Sequence, residues 1–150
     1  MAQSLAKIVV HVVFSTKNRE PFLATTIRKD LFAYLVGILN SSGCPTLAIN
    51  GTEDHVHVLT VMSKTMTLSE MLQKMKGGSS HWLNQQAATK THFAWQAGYG
   101  AFSVSESQIS KVVDYIADQE EHHRKMTFQD ELISLLKKHK IEFDERHLWT

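Results

Sequence analysis

The stretch Ile8-Val9-Val10-His11-Val12-Val13-Phe14 is dense in β-branched residues and apolar at both parities. That pattern predicts a central strand covered on both faces, since a half-exposed strand alternates apolar with polar. Working outward, Lys17-Asn18-Arg19-Glu20-Pro21 ends the strand. Ile27, Leu31, Leu35 and Ile38 with Phe32 and Tyr34 then follow a helical period from Thr25 to Asn40, stopped by Ser41-Ser42-Gly43. Pro45 to Asn50 and His55 to Met62 read as two strands of a hairpin, with Asn50-Gly51 as its turn chemistry.

Thr67 with Glu70 forms a capping box for a helix carrying Leu68, Met71, Leu72 and Met75. Gly77-Gly78 is expected to weaken that helix before Trp82 and Leu83 resume it. Phe93-Ala94-Trp95 and Tyr99 to Val104 flank Gln96-Ala97-Gly98 and read as a hairpin or bulged strand. Ser105 and Gln108 match a capping box for a helix to about His122. A last helix runs from Thr127 to His139, and the tail from Ile141 to Thr150 reads as extended. The order β-α-β-β-α-β-α predicts an α+β domain over residues 1–150: an antiparallel sheet with packed helices, of the ferredoxin-like or RNA-recognition-like kind.

Composition narrows the function classes. A hydrophobic content of 43% with 21% charged residues is that of a soluble globular chain. The longest apolar run is far shorter than the roughly 20 residues of a membrane helix, and no secretory signal opens the chain. The lone Cys44 excludes an intrachain disulfide, so a reducing, cytoplasmic setting is expected. A net charge of +1 supplies no global field for nucleic acid, and any phosphate contact must come from local basic clusters.

In Asp54-His55-Val56-His57-Val58-Leu59 the two histidines stand two apart on a strand, so both leave the same face and can share one metal. Two structural histidines would produce the same spacing. On the later helix Ile109, Val112, Val113 and Ile116 form an apolar stripe, with Tyr115 and Gln119 stacked four apart on its flank. Packing alone also explains a tyrosine and a glutamine there.

Taken together, these residues resemble a known family, the single-tyrosine HUH transposases of small insertion sequences. His55-Val56-His57 matches the His-hydrophobe-His motif, and Tyr115-Ile116-Ala117-Asp118-Gln119 matches the nucleophile followed four residues later by a glutamine. The likeness extends to Phe14-Ser15-Thr16-Lys17-Asn18-Arg19, to the Gly-x-x-Asp-His-Val-His-Val-Leu stretch, to Lys76-Gly77-Gly78-Ser79-Ser80, and to Tyr99-Gly100-Ala101-Phe102-Ser103-Val104.

The resemblance implies metal-assisted cutting and rejoining of single-stranded DNA through a 5′-phosphotyrosine on Tyr115. It implies His55, His57 and Gln119 as ligands of a divalent ion, Mg²⁺ or Mn²⁺. It also implies single-stranded or hairpin DNA as partner, and a homodimer in which the tyrosine helix can serve the other subunit. A domesticated relative that binds hairpin DNA without transposing, a hydrolase in which Tyr115 is only structural, and a relaxase are the competing readings.

No general base is identified; His122 lies near the same side of the helix. His11 reads as a packed core histidine on the strand beside the paired histidines, with a supporting role behind them as the alternative, and Asp54 reads as a turn residue. Lys17, Arg19, Lys74, Lys76 and His122-His123-Arg124-Lys125 are the basic groups expected near DNA backbone. Ser79 and Ser80 are expected as hydrogen-bond donors, and Trp82, Trp95 or Phe93 as stacking surfaces.

Overall fold

The computed structural model describes residues 2–86 and 91–149. Strand β1 (Val9–Ser15) is buried along its whole length. It pairs antiparallel with β3 (His55–Val61) on one side and β4 (Gly100–Val104) on the other, and β2 (Thr46–Gly51) adds to β3. The resulting order β2-β3-β1-β4 is an antiparallel four-stranded sheet, so the α+β architecture expected from the element order is the one observed.

Alternation along the strands sorts the side chains into two cores. Val10, Val12 and Phe14 of β1 and Val56 and Val58 of β3 face α1 (Thr25–Ser41) and α2 (Leu68–Asn84), where Leu31, Leu35, Leu39, Met71, Leu72 and Met75 are buried. Each buried leucine or methionine contributes about 1.5–3 kcal/mol. The other parity faces the C-terminal helices in two smaller clusters. Val9 and Leu59 meet Ile116 of α3 (Ile109–Ala117), while Val13 and Phe102 meet Phe128, Leu132 and Leu136 of α5 (Phe128–Lys138). Between these clusters the same face carries His11, His55 and His57.

Several local expectations are corrected. Asn50 and Gly51 lie inside β2, paired with His57 and Val56, and the hairpin turns through residues 52–54. Gly51 is needed there for close approach: a Cβ would stand 2.2 Å from the His55 carbonyl oxygen. Gly77-Gly78 does not interrupt α2, whose Thr67–Glu70 capping box forms as expected. A Cβ at Gly78 would lie 2.9 Å from Ile38 Cδ1, so close packing on α1 accompanies the helical cost of glycine.

Phe93-Ala94-Trp95 does not pair with Tyr99 to Val104. Trp95 bridges to Thr16 past the end of β1, and β4 pairs with β1 itself. Ser105 makes no side-chain cap; residues 106–108 form one turn of 3-10 helix before α3. The helix expected to reach His122 is broken at Asp118, with α4 spanning Gln119–His123. Asn50 Nδ2 donates to the Ile116 and Ala117 carbonyls at 2.9 and 3.1 Å, taking over acceptors that an unbroken helix would use. The tail also departs from the extended reading: Asp144 caps a short helix α6 (Glu145–Leu148). No helix among the described residues is long and apolar enough to cross a membrane.

Candidate functional site

His55 and His57 leave β3 on the same face, both fully buried. Each has its Nδ1 occupied. His55 Nδ1 lies 2.7 Å from Asp54 Oδ1 and 2.9 Å from Thr52 Oγ1, while His57 Nδ1 lies 2.8 Å from His11 Nε2. Asp54 is thus a turn residue, as expected, and also a buttress for His55. His11 is buried, and it also orients the ring of His57, the supporting role that its sequence position left open. With Nδ1 held on both rings, the two Nε2 atoms converge on one point.

Glu131 of α5 meets them there. Its Oε1 is 2.8 Å from His57 Nε2, 3.5 Å from His55 Nε2 and 3.0 Å from His123 Nε2. Gln119, at the start of α4 and fully buried, places Oε1 3.2 Å from His55 Nε2 and its amide nitrogen 3.4 Å from Glu131 Oε2. The Tyr115 hydroxyl donates to the same Oε2. The expected group of His55, His57, Tyr115 and Gln119 is therefore brought to one place within one chain, and the break at Asp118 does not separate its last two members.

The donor set suits a metal. One ligand atom each from His55, His57, His123 and Glu131 lies within 4.8 Å of the others. Around a divalent ion with bonds of about 2.0–2.2 Å, neighbouring ligand atoms stand roughly 3–3.5 Å apart, which is the spacing of the closest pairs here. Imidazoles with a carboxylate suit ions such as Mn²⁺, whereas Mg²⁺ leans on oxygen ligands.

The electrostatics centre on the buried Glu131 carboxylate and the side chains that meet it. Burial would lower the His55 pKa, but hydrogen bonds to Asp54 and Glu131 outweigh it and push the imidazole up to about 9. Burial dominates at His57 and holds it down to about 4, against the pull of Glu131. Burial, with help from His57, takes His11 down to about 3. Burial would also raise Glu131, yet hydrogen bonds with His123, His55 and His57 together hold it well below the usual carboxylate range. Burial and the Glu131 carboxylate push the Tyr115 phenol well above its ordinary value.

Glu131 and His123 were not expected as site residues. His123 had been grouped with the basic cluster. Glu131 had a legible signal, since it lies three residues after Phe128 and four before Leu135, on the stripe that α5 buries. A carboxylate at such a position is rarely buried unless paired.

The basic and polar residues expected near DNA are scattered. Lys17 is exposed. Arg19 stands over the Trp149 ring, 5.4 Å from its centroid, and Arg124 pairs with Glu121 at 3.1 Å. Lys76 Nζ donates to the Gln96 and Gly98 carbonyls at 2.6 and 2.8 Å, so its ammonium braces the loop before β4. Ser79 is fully buried, donating to the Met75 carbonyl and accepting from Trp95 Nε1 at 2.9 Å, which turns its hydroxyl inward rather than toward a phosphate. Phe93 and Trp95 are likewise core residues, whereas Trp82 stacks on Tyr34. His122 lies against the Tyr115 ring, 4.6 Å between centroids.

Fold and site together define a class: an α+β protein whose antiparallel sheet carries a buried histidine-carboxylate cluster able to hold a metal, with a tyrosine hydroxyl hydrogen-bonded to that carboxylate. The chain belongs to the transposase family described as "Transposase IS200 like", whose model matches residues 4–119. The match takes in His55, His57, Tyr115 and Gln119 and stops short of His123 and Glu131.

Two solved structures share the fold. One is a candidate transposase from Deinococcus radiodurans, with 22% identity and a TM-score of 0.61 over 79% of this chain and 98% of that one. The other is a REP-associated tyrosine transposase bound to a REP hairpin, with 16% identity and a TM-score of 0.62 over 82% and 73%. No curated protein matches the chain.

Proposed function

We propose that this protein cuts and rejoins single-stranded DNA at the ends of a mobile element, with Tyr115 as nucleophile and a divalent ion, Mg²⁺ or Mn²⁺, held by His55, His57 and Gln119. The observation that carries the reading is the convergence of both Nε2 atoms, the Gln119 carboxamide and the Tyr115 phenol on Glu131. Glu131 and His123 join the ligand set. Family membership and the hairpin-bound relative support DNA as substrate.

When bound, the dication supplies positive charge that polarises the scissile phosphate and favours the phenolate. The chain's own residues do the rest. Tyr115 attacks phosphorus, its Oη–P bond forming as the P–O3′ bond breaks, and the 3′ oxygen leaves to become a free 3′-OH. The phenol proton leaves along its hydrogen bond to Glu131 and is passed on to the departing 3′ oxygen, so Glu131 relays the proton without retaining it. Asp54 and His11 hold the two histidine rings in register throughout. A 3′-OH attacking the phosphotyrosine reverses the step, and one phosphodiester replaces another without an external energy source.

Tyr115 meets Glu131 and Gln119 of its own chain, and Asn50 ties the end of α3 to β2. In a homodimer that delivers the helix to the other subunit, these same contacts would form between the two chains. Incubating the protein with Mn²⁺ and labelled single-stranded DNA tests the central claim. A protein-DNA adduct that survives denaturing gels and disappears in Tyr115→Phe is expected. An adduct undiminished in that variant means another nucleophile, and tight hairpin binding with no cleavage under any divalent ion would favour the domesticated binder.

A further inference from the structure

A cleft of about 610 Å³ opens beside the candidate site, between α3 and α5 over β4. His11 and Tyr115 line its inner part, and the rim is exposed: Ser103, Ser105 and Lys111 on one side, Lys138 and His139 on the other. No aspartate or glutamate lines it, although the chain carries 15 of them. Lys111 and Lys138 have no ion-pair partner among the described residues, whereas Lys7, Arg28, Arg124 and Arg146 are paired with carboxylates. The exposed His139 ring is backed by Phe102, with centroids 4.7 Å apart and planes inclined at 28°.

We propose that this cleft binds the single strand of DNA running on from the scissile phosphate, with Lys111 and Lys138 on successive backbone phosphates and the Phe102-backed His139 ring stacked on a base. The assignment rests on the transposition reading above. Because the cleft shares Tyr115 with the reacting centre, its occupant must be continuous with the group attacked. A polynucleotide meets that condition, and its anionic backbone complements a rim with cations and no carboxylates. The volume lies within the ~300–1,000 Å³ of small-ligand sites, which suits one strand rather than a duplex. Stacking on an aromatic face tolerates any base, so the cleft grips without reading sequence.

The test is fluorescence anisotropy with fluorescein-labelled oligo(dT) in a salt titration. The double variant Lys111→Gln/Lys138→Gln is compared with a control, Lys29→Gln/Lys64→Gln, on α1 and the loop before α2, away from the cleft. Two lost phosphate contacts should flatten the slope of log K against log salt by about 1.4 and weaken binding about 10-fold or more at low salt. His139→Ala should weaken binding with little change in slope. The control should match wild type. All four lysines are exposed, so folding is not at stake.

An unchanged affinity and slope in the Lys111/Lys138 variant, or an equal loss in the control, overturns the cleft assignment. If wild type still forms the Tyr115 adduct in that case, the transposition reading stands. A wild-type protein that neither binds oligo(dT) nor forms the adduct removes both.

Discussion

Without metal, stability should peak near pH 6.5 and fall on both sides, and the alkaline fall should be specific to His55. Its pKa rises from 6.5 to about 9 on folding, so the folded state holds its proton more tightly than the unfolded chain. That stabilisation is fully present below pH 6.5 and disappears as pH climbs through 9. A change of that size corresponds to about 3 kcal/mol. His57 and His11 act oppositely, because folding takes them from 6.5 down to about 4 and about 3. Their stabilisation is present above pH 6.5 and is lost as pH falls toward 3, so the two limbs do not overlap.

Urea unfolding in EDTA at steps from pH 5 to 9.5 measures the curve, and Asp54→Asn isolates the alkaline limb by removing the strongest partner of the His55 proton. Wild type should lose about 2–3 kcal/mol between pH 6.5 and 9, and the variant clearly less. Saturating Mn²⁺ should flatten the limb, because an ion that binds only the folded state stabilises it by about 2.7 kcal/mol at 100 times its dissociation constant. Parallel wild-type and Asp54→Asn curves over that window would refute the account of the cluster.

Further tests address individual contacts. Glu131→Gln should keep the fold yet lower Mn²⁺ affinity about 10–100-fold by calorimetry and slow adduct formation, whereas Glu131→Ala should cost about 3–5 kcal/mol by leaving buried partners uncompensated. Substituting His57→Ala should abolish cleavage while oligo(dT) binding by anisotropy stays within a few-fold; surviving cleavage would place the metal elsewhere. Gly51→Ala must push a Cβ against the His55 backbone, so a loss of about 2–3 kcal/mol in urea unfolding is expected, with weakened Mn²⁺ binding. Ser79→Ala strands the buried Trp95 N–H, and thermal unfolding should report a loss of about 1–3 kcal/mol with cleavage unaffected.

Elements marked by strong periodicity were legible in advance: the buried β1, the capped α2, and the α5 stripe. The misreadings share a cause, which is that local signals were judged without their distant partners. Gly77-Gly78 looked like a helix break because Ile38 could not be seen to fill the space over it. Phe93-Ala94-Trp95 looked like half of a hairpin because nothing in the local pattern shows that Trp95 belongs beside Thr16. Asn50 looked like a turn residue, and its role at the end of α3 depends on a contact 66 residues away.

The amino-acid sequence alone determined that His55 and His57 share a face, because strand geometry repeats every two residues, and that Tyr115 and Gln119 flank an apolar helix stripe. It also determined most of the order of strands and helices, but not which strand β4 pairs with or where the late helix breaks. Only the tertiary structure decided what those side chains meet. Glu131 and His123 come to the histidine pair from other helices, and no spacing rule reaches across such separations. Burial then decides the chemistry: the same imidazole is driven up at His55 and down at His57 by neighbours that only the folded chain assembles.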